Sequence, residues 1–471
     1  MKRIGKTWTC LALLLCLIAT LACKDDLQRT IEKEPAATSV PSAQTPETAA
    51  PTEEPVDEIV LIADAVETPR TPAPTPEPTP EPTTEPTPEP TPEPTPEPTP
   101  EPTPVYVTIG AIGDIMASGA LAEYAKRGGT YDYSELLLPM RELFESVDLM
   151  CGNLESPLAG EKSGYSTKRD AESGVNSFNT PDSVLDTLKE FGMDLLTTAN
   201  NHAFDRGIDG VRRTVEVIRA AGFYQTGTYL DEEDRMTPCI VEVNGVKIGI
   251  VAVTRLMNQA FINVNRGEAY RTFGYYMTDG RTLTQECRDS ISRTREAGAE
   301  FVILFAHWDY ETDSPTSSDT KRLAREALAA GADCIIGAHP HRIKGAEYVT
   351  IEREDGPYTG LVLYSLGNFC AKMNYSCMIG LFAKITLVKD PETGKVTLCD
   401  AGVLPTYSLS RSQNGRKWVS VIPAYSDTDK ITGLSTALTN SERKAIRDAR
   451  EFALKRLGKV EGLQILDELQ Q

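Results

Sequence analysis

An α/β sandwich, with sheets lying between helices, is the architecture predicted for residues 105–410 of this 471-residue chain. Three observations carry that reading. Short apolar runs of strand character alternate with helix-patterned segments through the first half of the span. Strand-like runs dominate its second half. Clusters of Asp, Asn and His stand directly after the apolar runs, where open α/β sheets place their sites.

Each element has its own signal. Residues 105–113 are an apolar run ending in Gly113, a buried strand that delivers Asp114. Residues 136–147 are patterned as a helix, and 147–151 as a second strand that delivers Asn153 and Glu155. Pro181 suits the first turn of a helix reaching residue 191. Residues 193–198 are a third strand, delivering Asn200, Asn201 and His202, with a helix following at 208–221. The clearest hairpin is 240–251, two alternating runs about Asn244-Gly245. Then come a helix at 281–297, a strand at 301–305 delivering His307, and a helix at 320–330. A strand at 334–336 delivers His339 and His341. Further strands are expected near 361–364, 381–388 and 395–399. Residues 411–471 form an extension expected to be mainly helical, with amphipathic patterning over 441–469.

The residues ahead of the domain have a different composition. Residues 1–23 read as an export signal: Lys2, Arg3 and Lys6 precede an apolar stretch at 11–22, short for a membrane span. It ends in Thr20-Leu21-Ala22-Cys23, which resembles a lipobox except that leucine is usual where Thr20 stands. Lipidation of Cys23, ordinary cleavage and an uncleaved anchor are the alternatives. Each puts the domain outside the cytoplasm, lipid-anchored to the membrane or at the cell surface. Residues 24–104 are a linker expected to be disordered, closing in a Thr-Pro-Glu-Pro repeat from residue 71. Proline excludes helix and sheet there, so polyproline II at roughly 3.1 Å per residue would reach about 100 Å. Such a segment serves as a stalk or as an inert linker.

Charge and cysteines narrow the function classes. With 68 acidic and 48 basic residues the net charge is -20, which argues against a nucleic-acid partner held by a basic surface. Three of the ten cysteines belong to the signal, and the rest are scattered over 151–399 with no C-x-x-C pair. That is no disulfide framework. Cys370 and Cys377 are read as small buried hydrophobes or as a local pair.

The chain has four histidines, and each follows an apolar run. Convergence on one site explains this better than four independent placements. Asp114, Glu155 and the Asn residues add oxygen donors, and the mixture suits Mn, Fe or Zn. An i, i+2 pair such as His339-Pro340-His341 can aim two imidazoles the same way from an extended segment. Trp308 is read as core packing or a stacking platform. Arg169, Arg206 and Arg342 are candidate anion contacts, Arg342 the best placed.

The order Gly-Asp, Asn-x-Glu, Asn-His, His, Gly-x-His-x-His resembles the calcineurin-like metallophosphoesterases. The wording is closer to the bacterial CapA-type capsule-synthesis proteins, also called poly-γ-glutamate biosynthesis proteins. The motifs are Gly113-Asp114-Ile115-Met116, Asn153-Leu154-Glu155-Ser156-Pro157, Ala199-Asn200-Asn201-His202 with Asp205 and Gly207, His307-Trp308, Gly337-Ala338-His339-Pro340-His341 and Tyr364-Ser365-Leu366-Gly367-Asn368-Phe369. The resemblance spans residues 107–388. It implies a four-layer α/β/β/α sandwich of metallophosphatase type. It implies that Asp114 and His341 bind one metal, that Asn201, His307 and His339 bind another, and that Glu155 bridges them. One or two divalent ions are thus expected. His202 would serve the leaving oxygen, with Asp205 fixing its ring. Asn153, Asn200, Arg342 and Asn368 are the candidate substrate contacts. One departure matters: phosphoesterases carry Asp-x-His where this chain has Asp114-Ile115-Met116, and a thioether is a poor ligand for these ions. The implied function is metal-assisted hydrolysis of a phosphoester or related bond in cell-envelope polymer metabolism. The alternative is a non-catalytic accessory protein that binds an anionic polymer or lipid-linked precursor, in contact with a membrane-bound synthesis complex.

Overall fold

The computed structural model describes residues 103–165, 167–169, 176–258 and 282–467. The export signal, Cys23 and nearly all of the proline-rich linker lie outside the described residues. Among the described residues no helix is long and apolar enough to cross a membrane.

The strands, in chain order, are β1 (Val105–Ile115), β2 (Lys126–Arg127), β3 (Thr130–Tyr131), β4 (Leu149–Leu154), β5 (Lys168–Arg169), β6 (Asn176–Ser177), β7 (Leu195–Thr197) and β8 (Tyr224–Thr226). They continue with β9 (Cys239–Val243), β10 (Val246–Thr254), β11 (Phe301–His307), β12 (Cys334–Ala338), β13 (Ala346–Arg353) and β14 (Gly356–Leu363). The last are β15 (Asn368–Cys370), β16 (Ile379–Lys389), β17 (Val396–Gln413), β18 (Arg416–Pro423) and β19 (Gln464–Ile465). The helices are α1 (Ala120–Ala125), α2 (Ser134–Leu137), α3 (Arg141–Glu145), α4 (Ser183–Glu190), α5 (Gly207–Ala220), α6 (Glu232–Met236), α7 (Gln285–Glu296), α8 (Ser318–Ala329) and α9 (Asn440–Leu457).

Two mixed sheets organise these elements. The first runs β18-β17-β16-β1-β4-β7-β8, with β15 beside β1 and β19 beside β17. The second runs β13-β14-β12-β11-β10-β9. Strands β1, β4, β7 and β8 are mutually parallel, as are β10, β11, β12 and β14. Parallel neighbours end on the same edge, so each sheet gathers its C-terminal strand ends together.

Alternation along the strands sets what packs where. Ile248, Ile250, Ile303, Phe305 and Ile336 join one continuous core with Ile109, Ala111 and Ile112 of the first sheet. Their neighbours Val251, Val253, Leu304, Ala306 and Ile335 pack instead with Ile291 of α7 and Leu323, Ala327 and Leu328 of α8. Those two helices start where side-chain oxygens cap them: Thr284 accepts from the Cys287 N–H, and Ser317 from the Thr320 N–H.

Several expectations need correction. The helix expected over 136–147 is broken into α2, a short 3₁₀ turn at Leu138–Met140 and α3. Pro139 has no backbone N–H, so the hydrogen bond that would continue the α-helix through it is missing. The boundary expected at 410 falls inside β17, and the sheet continues to Pro423. There the chain turns at Asn414-Gly415, with φ of 50° and 79°, and β18 pairs back along β17. The final helix stops at Gly458, φ 76°, short of the 469 expected. Cys370 and Cys377 are both free and buried.

Candidate metal centre

Register brings the ligand-bearing residues level. Asp114 on β1 sits beside Asn153 on β4 and, on its other side, beside Asn368 on β15. In the second sheet His307 ends β11 level with Ala338 on β12, so His339 follows one residue later. Two glycines permit the close approach. A Cβ on Gly113 would lie 1.9 Å from the Gly367 carbonyl oxygen, and one on Gly337 would lie 2.0 Å from that of Tyr364.

The side chains form two groups that share Glu155. In the first, His307 Nε2 lies 2.8 Å from Asn201 Oδ1, 3.2 Å from His339 Nδ1 and 3.4 Å from Glu155 Oε1. In the second, His341 Nδ1 lies 3.7 Å from Glu155 Oε2, 3.8 Å from Asp114 Oδ2 and 2.9 Å from Asn368 Oδ1. Glu155 with His307 and His339, and Asp114 with Glu155 and His341, each have the spacing of a metal-ligand set. All of these side chains are buried. Neither Glu155 oxygen has a hydrogen-bond donor. A buried carboxylate without donors or a cation is costly, so the donor set fits a divalent ion.

Burial dominates the electrostatics. Asp114 is pushed up to about 6, first by desolvation and then by the adjacent Glu155 charge. Desolvation also raises Glu155. It pushes His307 down to about 3 and holds His339 well below the usual imidazole range. For His341 burial opposes protonation, but the Glu155 and Asp114 carboxylates outweigh it and raise the imidazole. Held neutral by burial, His307 and His339 carry no imidazolium charge that a cation would have to overcome.

His202 stands on the turn after β7. Its Nδ1 is 2.7 Å from Asp205 Oδ2, which also accepts the Phe178 N–H at 2.6 Å. Asp205 therefore fixes the ring and leaves Nε2 available. The expected substrate contacts Asn153 and Asn200 are committed to their neighbours. Asn153 Nδ2 donates to Asp114 Oδ1 at 2.7 Å. Asn200 Nδ2 donates to the Leu154 carbonyl at 2.9 Å, and its oxygen accepts the His202 N–H at 3.1 Å. Arg342 turns to Asp313, 3.2 Å away. Arg206 donates to Ser177 Oγ. Arg169 lies on β5, and its side chain is outside the described set. Trp308 is fully buried in the core, its Nε1 donating to the Tyr364 carbonyl at 2.8 Å.

The His339-Pro340-His341 segment is not extended. His339 has φ 94° and His341 φ 56°, left-handed values that L-residues adopt at a cost. The rings converge through this strained turn, with centroids 6.1 Å apart. Asn258 is a site residue that sequence reasoning missed. It lies 3.3 Å from the Asn201 carboxamide and 3.2 Å from His202 Nδ1. It follows β10 without a motif, so no local signal marks it.

Residues 108–373 match the family model described as bacterial capsule synthesis protein PGA_cap. The chain is similar to "Capsule biosynthesis protein CapA" of Bacillus anthracis, 27% identical over 267 residues, covering 56% of this chain and 59% of that protein. It is similar to "PGA biosynthesis protein CapA" of Bacillus subtilis (strain 168), 27% identical over 260 residues, covering 55% and 61%. It also resembles "Uncharacterized protein y4uA" of Sinorhizobium fredii (strain NBRC 101917 / NGR234), 25% identical over 320 residues, covering 56% and 65%. The chain thus spans about three fifths of the length of the two CapA relatives.

Proposed function

The chain belongs to the bacterial capsule synthesis protein PGA_cap family, and from that we propose that its domain is a metal-dependent hydrolase of phosphoester type acting in cell-envelope polymer metabolism. The fold in this reading is the four-layer α/β/β/α sandwich of metallophosphatase type. The domain works outside the cytoplasm, held by a lipid on Cys23 and a proline-stiffened tether, close to a membrane-bound synthesis complex. Its substrate is an anionic polymer or a phosphoester.

One observation carries the chemical part of this reading. The two oxygens of Glu155 face separate ligand groups, at 3.4 Å from His307 Nε2 and 3.7 Å from His341 Nδ1, and neither has a donor. A carboxylate so placed suits a bridge between two cations about 3.5–4 Å apart. Asp114, Glu155 and His341 would hold one ion, and Asn201, Glu155, His307 and His339 the other. Bound there, Mn, Zn or Fe would polarise the substrate oxygen and make water nucleophilic. Asn153 keeps the Asp114 carboxylate aimed inward through its 2.7 Å hydrogen bond. Asp205 holds His202 so that Nε2 can give a proton to the leaving oxygen.

Met116 favours a second reading, in which the site binds an anionic polymer or lipid-linked precursor without turnover, because phosphoesterases have an imidazole there. A metal-supplemented screen of aryl phosphate, phosphodiester and polyglutamate substrates separates the two. The catalytic reading expects turnover by the wild type and its loss in His202→Ala with metal content unchanged. A metal-loaded wild type that hydrolyses none of them, yet binds polyanion tightly, sinks it.

A further inference from the structure

We propose that the carboxamide oxygen of Asn368 is a metal ligand, completing the Asp114–His341 site in place of the imidazole that Met116 cannot supply. This rests on the two-cation reading above.

Register places the residue first. β15 pairs with the end of β1 so that Asn368 stands level with Asp114. The backbones pack closely there, since a Cβ on neighbouring Gly380 would lie 2.2 Å from the Asn368 carbonyl oxygen. Orientation comes next. The Asn368 Nδ2 donates to the Cys377 carbonyl at 2.8 Å, with Met373 Sδ at 3.5 Å. The amide nitrogen is thereby turned away from the site, and Oδ1 is left facing His341 Nδ1 at 2.9 Å. That same nitrogen faces the Asp114 and Glu155 carboxylates.

The spacing fits two atoms on one ion. Ligands each about 2.1 Å from a metal are about 3.0 Å apart at the right angles of octahedral coordination, the geometry that suits Mn, and about 3.4 Å apart in a tetrahedral zinc site. The other half of the centre has the same arrangement, with Asn201 Oδ1 2.8 Å from His307 Nε2. Each half-site then has a Glu155 oxygen, an imidazole nitrogen and a carboxamide oxygen, with Asp114 added on one side and His339 on the other. A neutral carboxamide oxygen suits Mn, for which the Met116 thioether is a poor ligand.

The test is metal content and affinity of the full chain loaded with Mn or Zn, together with a metal-loaded crystal structure. Wild type is expected to hold two ions. Asn368→Ala should weaken one of them by at least the roughly 10- to 100-fold that even outer partners of metal ligands cost. Asn368→Asp should keep both, and Met116→His should restore the second ion to Asn368→Ala. In the crystal structure Oδ1 should lie about 2.0–2.2 Å from the ion. An ion held by Asp114 and Glu155 with Asn368 Oδ1 more than about 3 Å away overturns the assignment, whatever the variants do. So does Asn368→Ala with both ions retained at unchanged affinity. A wild type without any ion overturns this inference and the metal-centre reading together. Two ions with no hydrolysis leaves the ligand assignment standing and removes only the catalytic reading.

Discussion

Glu155 is the side chain on which the centre turns. Buried, it faces two ligand groups, and neither of its oxygens accepts a hydrogen bond. Glu155→Gln is therefore expected to abolish binding of at least one ion, read by metal analysis. Asp114 and His341 together set the pH dependence. With the Asp114 carboxyl pushed up to about 6, the site holds a proton below that pH and a charge above it. Cation affinity should fall as pH drops through about 6, and should already be falling at higher pH because the raised His341 imidazole must also lose its proton to ligate, by up to about tenfold per unit for each displaced proton. Calorimetric titration across pH 5–8 checks the slope, and an affinity unchanged to pH 5 contradicts it.

Secondary elements decide whether those side chains meet. Asp114 lies between β4 and β15, and its amide donates to the Gly367 carbonyl at 3.2 Å. Gly113→Ala puts a methyl group against that same carbonyl. It should cost about 1–3 kcal/mol or more and weaken the Asp114 site, since β1 and β15 must part. A thermal melt together with metal content tests this. The C-terminal helix offers a control far from the ligands. Thr439 and Glu442 form a capping box at the start of α9, so Thr439→Ala should cost about 1 kcal/mol and leave metal content unchanged.

For the whole molecule, the end of the sheet matters more than the compositional boundary. β18 buries Trp418, Val419, Val421 and Ile422, and α9 buries Ile446, Ala449 and Ala453. A chain ending at 410 strands the apolar faces these elements cover. It should lose cooperative unfolding and solubility, whereas a chain of residues 103–471 should keep both its melting transition and its metal content. Circular dichroism melts of the two truncations decide the matter.

Much of this was legible in the residues. The apolar runs, the Asn244-Gly245 hairpin and the chemistry of Asp114, Glu155, Asn201 and the four histidines are local properties. A donor type and its position at a strand end depend only on near neighbours in the chain. What the residues alone could not give is partnership across distance. Asn368 faces His341 because β15 pairs in register with β1, Asn153 holds the Asp114 carboxylate because β4 pairs with β1, and Asn200 reaches the Leu154 carbonyl because β4 and β7 lie side by side. His339 and His341 converge through left-handed backbone rather than an extended segment, and the first sheet runs past 410 through the Asn414-Gly415 turn. Each of these outcomes is set by strand register and close backbone approach, forces that act between segments far apart in sequence and so leave no local pattern.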